Sequence, residues 1–286
     1  MASDKIQTVG IIGAGTMGQG IAQICAVSGF DVLLYDIDAG YIKKGIANIN
    51  ASLQISVDKN KISVAQKQQA LDRIKSCQNL EQVKADLIIE AVVENLNVKR
   101  EIFKTLENSN SKDCILATNT SSIPVTQIAS ALENPNRFAG LHFFNPAHIM
   151  KLVEVISGVA TTIDTLELLR KFSEKLGKTP ISVKDSPGFV VNRVARHYYV
   201  EALKILEENV TDIKTIDTLL KSSGFKMGAF ELMDLIGVDT NFSVTTSMYN
   251  AFHQDAKFRP SRIQQQKVEA GHHGQKSGKG FYDYNK

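Results

Sequence analysis

Up to about residue 186 the apolar residues come in short unbroken runs separated by helical stretches, and beyond it almost everything follows a helical period. Thr8–Ile12 is the first run; a strand with no polar alternation is buried on both faces, as in a parallel sheet covered by helices. Over 16–28, Ile21, Ile24, Cys25 and Ala26 share one helical face, and Asp31–Tyr35 follows as a second buried strand. A long helix is expected over 39–57, a polar Lys-bearing connection over 58–61 and another helix over 64–74. This pair interrupts the strand–helix rhythm. The rhythm resumes with a strand at 87–91, a helix at 98–106, a strand at 114–117 and a short helix opened by Ser122 and Pro124. Strands at 138–144 and 152–156 flank the Asn145-Pro146 turn, a helix over 164–176 carries an Asp164/Glu167 cap, and 180–183 is the last strand.

From Phe189 to about 269 the chain reads as helix, for example over 194–206 and 213–220. The change of pattern divides it into a sheet domain, 1–186, and an all-α C-terminal domain, 187–286. The sequence shows no internal repeat, and its glycine-punctuated tail, 271–280, ends in Phe281-Tyr282-Asp283-Tyr284.

The turn after the first strand is Gly13-Ala14-Gly15-Thr16-Met17-Gly18. Its glycines answer three steric demands: a tight exit from the strand, close backbone approach to a pyrophosphate, and packing of helix on strand. The helix that follows aims its free N–H groups and positive dipole end at the ligand. Asp36 closes the second strand, where a carboxylate accepts from ribose hydroxyls and repels a 2′-phosphate, which favours NAD over NADP. A bare GxGxxG serves ordinary turns too; the strands and helix around this one make it the fingerprint of an α/β Rossmann-type dinucleotide-binding domain.

With 286 residues and 43% apolar content the chain can build packed cores in two domains. A net charge of +3, dispersed along the sequence, gives no footprint for nucleic acid. No apolar run approaches a membrane span, and the polar residues 1–7 lead straight into the first strand, so neither secretion nor membrane insertion is expected. Cys25, Cys77 and Cys114 are widely spaced and read as buried, reduced thiols of a cytoplasmic protein. His148, His197, His253 and the pair His272-His273 lack metal-ligand spacing, so no metal is expected.

His142 falls near the end of a strand, where α/β sheets hold their ligands, and Glu154 is an acid inside the apolar strand that follows. Singly, His142 reads as a satisfied core histidine and Glu154 as one member of a cross-strand ion pair. If the two strands are neighbours, Glu154 binds one imidazole nitrogen, sets the tautomer and stabilises the imidazolium formed when the other takes a proton. Oxidising an alcohol with NAD needs such a base.

The chain closely resembles the 3-hydroxyacyl-CoA dehydrogenase family, especially its short bacterial 3-hydroxybutyryl-CoA type. The likeness runs over nearly the whole sequence: the glycine-rich turn, Glu90-Ala91-Val92-Val93-Glu94-Asn95, Asn119-Thr120-Ser121-Ser122, His142-Phe143-Phe144-Asn145-Pro146, Lys151-Leu152-Val153-Glu154-Val155, Pro187-Gly188-Phe189-Val190-Val191-Asn192-Arg193 and Lys276-Ser277-Gly278-Lys279-Gly280-Phe281-Tyr282. The resemblance implies NAD-dependent interconversion of short-chain (3S)-3-hydroxyacyl-CoA and 3-oxoacyl-CoA, with His142 as base and Glu154 as its partner. It makes Ser121 and Asn192 the groups that hold the substrate's reacting oxygens. Glu94, Lys99, Ser121 and Asn145 then border the cofactor, and Lys276 reaches it from the tail. The inserted helices resemble the family's CoA-binding arm, where Ser52 and Lys59 match, and a homodimer through the helical domain is implied. By residue type alone Ser121 is also a turn hydroxyl, Asn192 a helix-start residue, and Lys59 a solvated lysine.

The chain departs from the family in two places. Ala229 stands where proline is usual, and Arg196-His197-Tyr198-Tyr199 is more polar than in many relatives, which leaves room for an ω-carboxylated, 3-hydroxyadipyl-CoA-type substrate. A free 3-hydroxyacid dehydrogenase is a rival, but such enzymes use a lysine in the region Asn192 occupies. A non-catalytic, structural or nucleotide-sensing relative is the other, since fold does not fix activity.

Overall fold

A strand buried on both faces needs helices above and below it, and the chain supplies them in alternation. The computed structural model describes residues 6–285. It opens with β1 (Thr8–Ile12), α1 (Thr16–Val27), β2 (Asp31–Tyr35), α2 (Ala39–Asp58), α3 (Val64–Asp72) and β3 (Ile74–Ser76). β4 (Leu87–Glu90), α4 (Leu96–Ser109), β5 (Ile115–Thr118), α5 (Val125–Ala129) and β6 (Phe138–Phe143) follow. β7 (Leu152–Ser157), α6 (Ile163–Lys175) and β8 (Thr179–Lys184) complete a sheet ordered β3-β2-β1-β4-β5-β6-β7-β8.

β1 to β6 are parallel, β7 runs antiparallel to β6, and β8 is parallel to β7. The strand order reverses at β1, which lies between β2 and β4; the crevice at the carboxyl ends of such strands is where doubly wound sheets take ligands. Val9, Ile11, Val32, Leu34, Leu87 and Ile89 pack with the inner faces of α1 and α2 into the main core. The α/β Rossmann-type class expected from the sequence is the class observed.

Two local expectations are corrected. The helix expected over 64–74 stops at Asp72, and Ile74–Ser76 pairs with β2 as an edge strand, Val32 opposite Ile74. Three residues with one apolar side chain offer no period to read; the unpaired outer edge of β2 recruits them. The cap of α6 is Thr162, whose hydroxyl accepts the Thr165 N–H, not the Asp164/Glu167 pair. Because the helix begins at Ile163, Asp164 sits inside the first turn, where its charge suits the dipole, and Glu167 pairs with Arg170.

The chain divides into two compact units between Ser186 and Pro187. The second unit is all helix: α7 (Val191–Glu207), α8 (Ile213–Ser222), α9 (Ala229–Ile236), α10 (Val238–Ala251) and α11 (Arg262–Glu269). Leu203, Ile216, Phe230, Met233 and Val238 form its core, and Phe281 of the tail packs edge-on against Phe230 with ring centroids 4.8 Å apart.

Two buried aspartates fasten that tail. Asp234 accepts the Phe281 and Tyr282 N–H groups, both at 2.9 Å, and the Tyr284 hydroxyl at 3.1 Å. Asp217 accepts the first-turn N–H groups of Phe230 and Glu231 in α9, both at 3.0 Å, and the Tyr282 hydroxyl at 2.8 Å. Both departures from the family pattern are absorbed within this unit. α9 starts without proline because Glu231 accepts the Gly228 N–H at 3.1 Å. Arg196 is buried, donates to the Asn241 carbonyl and the Thr245 hydroxyl at 2.9 Å each, and lies over the Tyr199 ring. Tyr198 donates to the Met227 carbonyl.

Asp234→Ala would orphan three donors, so a destabilisation of about 3 kcal/mol or more is expected in urea unfolding. A loss under about 1 kcal/mol would show that the tail does not depend on this carboxylate.

Candidate active site

β1 ends at Ile12, and the chain must then turn sharply against β4. Gly13 does so at φ 102°, and a Cβ there would lie 2.6 Å from the Ala91 carbonyl oxygen. At Gly18 a Cβ would fall 1.7 Å from the Gly13 oxygen, so both positions are closed by the protein itself. Gly15 differs: no atom lies within 4 Å of its would-be Cβ. It precedes α1, no side chain caps that helix, and its first N–H groups are left for whatever enters the open space.

Asp36, just past β2, accepts the Ala14 N–H at 2.7 Å and the Asp38 N–H at 3.2 Å. It helps line a cavity of about 770 Å³ with Gly13, Gly15, Tyr41, Val93 and Ile102. The wall is apolar, with Asp36 and Glu101 as its acids and no lysine or arginine. An adenine and a ribose with free hydroxyls suit such a wall, whereas a 2′-phosphate would meet carboxylates and no cation. The residues present therefore fit NAD.

His142 and Glu154 stand opposite each other in the antiparallel β6–β7 register. The imidazole Nδ1 and Glu154 Oε2 are 2.7 Å apart, with the Glu154 side chain sealed and the His142 side chain 7% exposed. Phe144 packs on the imidazole, centroids 4.5 Å apart. Because β6 ends at Phe143, the pair sits at the carboxyl edge of the sheet, the same edge as the glycine-rich turn and Asp36.

Ser121 lies in the loop after β5, at that edge too. Its N–H donates to Glu94 Oε1 at 3.0 Å, as do the Thr120 hydroxyl at 2.6 Å and the Ser122 N–H at 3.1 Å. Burial pushes the Glu94 carboxyl up, but Lys99 and the bonds from Thr120 and Ser121 outweigh it, and the group ends below its ordinary value. Asn119 ties the same loop to β6 by accepting the Phe143 N–H at 2.8 Å.

Lys99 is buried beside Glu94. Its ammonium, 1% exposed, lies 2.6 Å from Glu90 and 3.2 Å from Glu94, so it faces two carboxylates. Asn145 and Ser52 do come together, lining a smaller cavity of about 130 Å³ with Gln19, Asn48 and His148. Lys59 is exposed at the end of α2. Asn192 and Lys276 belong to the second unit, Asn192 in the first turn of α7 and Lys276 bonded to Asp239 at 2.7 Å.

The buried residues Glu90, Thr118 and Thr120 escaped the sequence reading as site components. An acid that ends an apolar strand, as Glu90 does, was the available signal. The three thiols are buried and unpaired; burial pushes Cys25 above its usual range and Cys114 up to about 12, which removes them as nucleophiles. Among the described residues no cluster of His, Cys, Asp and Glu is arranged to hold a metal, and no helix is long and apolar enough to cross a membrane.

Sheet order, glycine-rich turn and an imidazole–carboxylate pair on one edge define a dinucleotide-dependent oxidoreductase. The chain belongs to the 3-hydroxyacyl-CoA dehydrogenase family: residues 8–186 match its NAD binding domain and residues 188–284 its C-terminal domain. It is 47% identical to the 3-hydroxyadipyl-CoA dehydrogenase of Escherichia coli over 98% of its own length, but it spans only 59% of that longer protein. The 3-hydroxybutyryl-CoA dehydrogenase of Bradyrhizobium diazoefficiens is 42% identical, with 98% of this chain and 96% of that one covered. Among solved structures, (S)-3-hydroxybutyryl-CoA dehydrogenase from Ralstonia eutropha superposes with a TM-score of 0.95 at 42% identity, covering 98% of this chain and all of that one.

The contrast between the glycines is testable. Gly15→Val should leave thermal stability near wild type while abolishing NAD binding by calorimetry, whereas Gly18→Ala should lower the melting temperature itself. Unimpaired NAD binding by a folded Gly15→Val protein would remove this space as the cofactor site.

Proposed function

We propose that the protein interconverts short-chain (3S)-3-hydroxyacyl-CoA and 3-oxoacyl-CoA with NAD. The observation that carries this reading is the sealed His142–Glu154 pair, 2.7 Å apart, on the sheet edge that also bears the dinucleotide turn.

Glu154 accepts the Nδ1–H of His142, which makes Nε2 the nitrogen that takes the proton of the substrate's 3-hydroxyl. The carboxylate then steadies the imidazolium; in the reverse direction His142 polarises the 3-oxo group and returns the proton. Bound NAD supplies the acceptor for the hydrogen on C3. Ser121 and Asn192 hold the reacting oxygens. Glu94 and Asn145 border the cofactor, Lys276 reaches it from the tail, and Ser52 and Lys59 serve the CoA portion.

The relatives' names span an uncharged and an ω-carboxylated acyl chain. Arg196, the cation in the polar stretch after Asn192, gives hydrogen bonds to Asn241 and Thr245 within its own unit, which supports the uncharged short chain. Leu219, Phe225, Leu235 and Ile236 are exposed on the helical unit and support a homodimer formed through it. Three buried unpaired thiols support a reducing, cytoplasmic setting.

Three measurements test this. His142→Gln and Glu154→Gln should each lower kcat by about 100- to 10,000-fold with NAD affinity retained; near-normal rates in the folded variants would refute the assignment. Initial rates of NADH oxidation should be high with acetoacetyl-CoA, lower with a dicarboxylic 3-oxoacyl-CoA and negligible with free acetoacetate. Equal rates with the free acid would favour a 3-hydroxyacid dehydrogenase. Light scattering at micromolar concentration should give twice the mass of one chain, and a monomer would contradict the dimer.

A further inference from the structure

We propose that Lys99 and Glu90 are positioning residues for catalysis: they hold Glu94, and Glu94 in turn fixes the Ser121 loop. The proposal rests on the oxidoreductase reading above.

β4 ends in Glu90 and β5 in Thr118, opposite each other in parallel register and both sealed from solvent. A carboxylate there demands compensation. Glu90 Oε1 accepts Lys99 Nζ at 2.6 Å and the Val92 N–H at 2.7 Å, and Oε2 accepts the Thr118 hydroxyl at 2.7 Å. α4 sets Lys99 in place, since Asn95 caps the helix through the N–H groups of Asn97 and Val98 and so fixes its first turns.

One ammonium thus faces two carboxylates, and the second is Glu94, whose Oε2 lies 3.2 Å from Nζ. Its other oxygen, Oε1, gathers the Thr120 hydroxyl at 2.6 Å, the Ser121 N–H at 3.0 Å, the Ser122 N–H at 3.1 Å and the Ser122 hydroxyl at 3.1 Å. A single carboxylate oxygen therefore fixes three consecutive residues, with Ser121 in the middle. Thr120 extends the hold by accepting the Ile123 N–H at 2.9 Å. Charge-assisted bonds of this kind are strong only while the acceptor is ionised and held still. Lys99 meets both conditions.

Removing the lysine alone would strand Glu90, so the primary variant is Lys99→Met combined with Glu90→Gln, which removes one buried charge of each sign. Glu94→Gln and Thr120→Val, each lacking part of the loop's anchorage, carry the same readouts should the double variant fail to fold. Hydrogen exchange at the Ser121 and Ser122 amides should quicken by about tenfold or more, and kcat for 3-oxoacyl-CoA reduction should fall about tenfold. Ser121→Ala, which lowers kcat in the wild type, should cost nothing further in the double variant.

Unchanged amide exchange or an additive Ser121→Ala penalty would each overturn the proposal. The exchange measurement needs no turnover. A wild-type protein that reduces no 3-oxoacyl-CoA would sink the functional reading and still leave the hold on the loop to be decided by exchange.

Discussion

A carboxylate shut away from water costs several kcal/mol unless donors or a cation meet it, and four such acids organise this protein: Glu90, Glu154, Asp217 and Asp234. Each gathers groups from separate stretches of chain. Glu154 fixes an imidazole, Glu90 fixes an ammonium and the end of β5, and the two aspartates pin the last residues onto α8 and α9. The demand for compensation thus joins distant sequence more specifically than apolar packing, which tolerates many partners.

The antiparallel turn of β7 matters for the same reason. Parallel strands deliver their carboxyl ends to one edge, and the side chains a site needs must come from those ends or the loops beyond. Reversing β7 brings the start of a strand to that edge as well, so Glu154 near the start of β7 meets His142 near the end of β6. A slip of one residue would turn Glu154 to the other face of the sheet and leave both groups without their partner.

These relations were unequally legible in the sequence. The buried strands, the glycine-rich turn and Asp36 could be read because each obeys a local rule of spacing or sterics. His142 and Glu154 could be paired only on the condition that their strands are neighbours, a fact of topology, and the register supplies it. The ion pairs of Lys99 could not be read because position after a strand end says nothing of side-chain direction: the helix turns it inward to Glu90. Ile74–Ser76 and the Thr162 cap were missed because an edge strand and a helix start are set by what lies alongside them. The polar run at Arg196 invited a reading in terms of ligand; one nitrogen of its guanidinium, Nη1, is taken up by the neighbouring helix, while the buried Nε has no hydrogen-bond partner.

Asp36 shows how recognition and architecture share one group. Its Oδ2 accepts the Ala14 N–H, so the carboxylate that would discriminate a ribose also shapes the turn that approaches the pyrophosphate. Ala14 is held from its carbonyl side too, by the Gln19 amide at 2.8 Å, and Gln19 accepts from Asn48 of α2 at 3.1 Å. The turn is therefore tied both to β2 and to the inserted helix that carries Ser52. A change in either element reaches this turn through hydrogen bonds, so its shape is a property of the linked group of residues rather than of the acid alone.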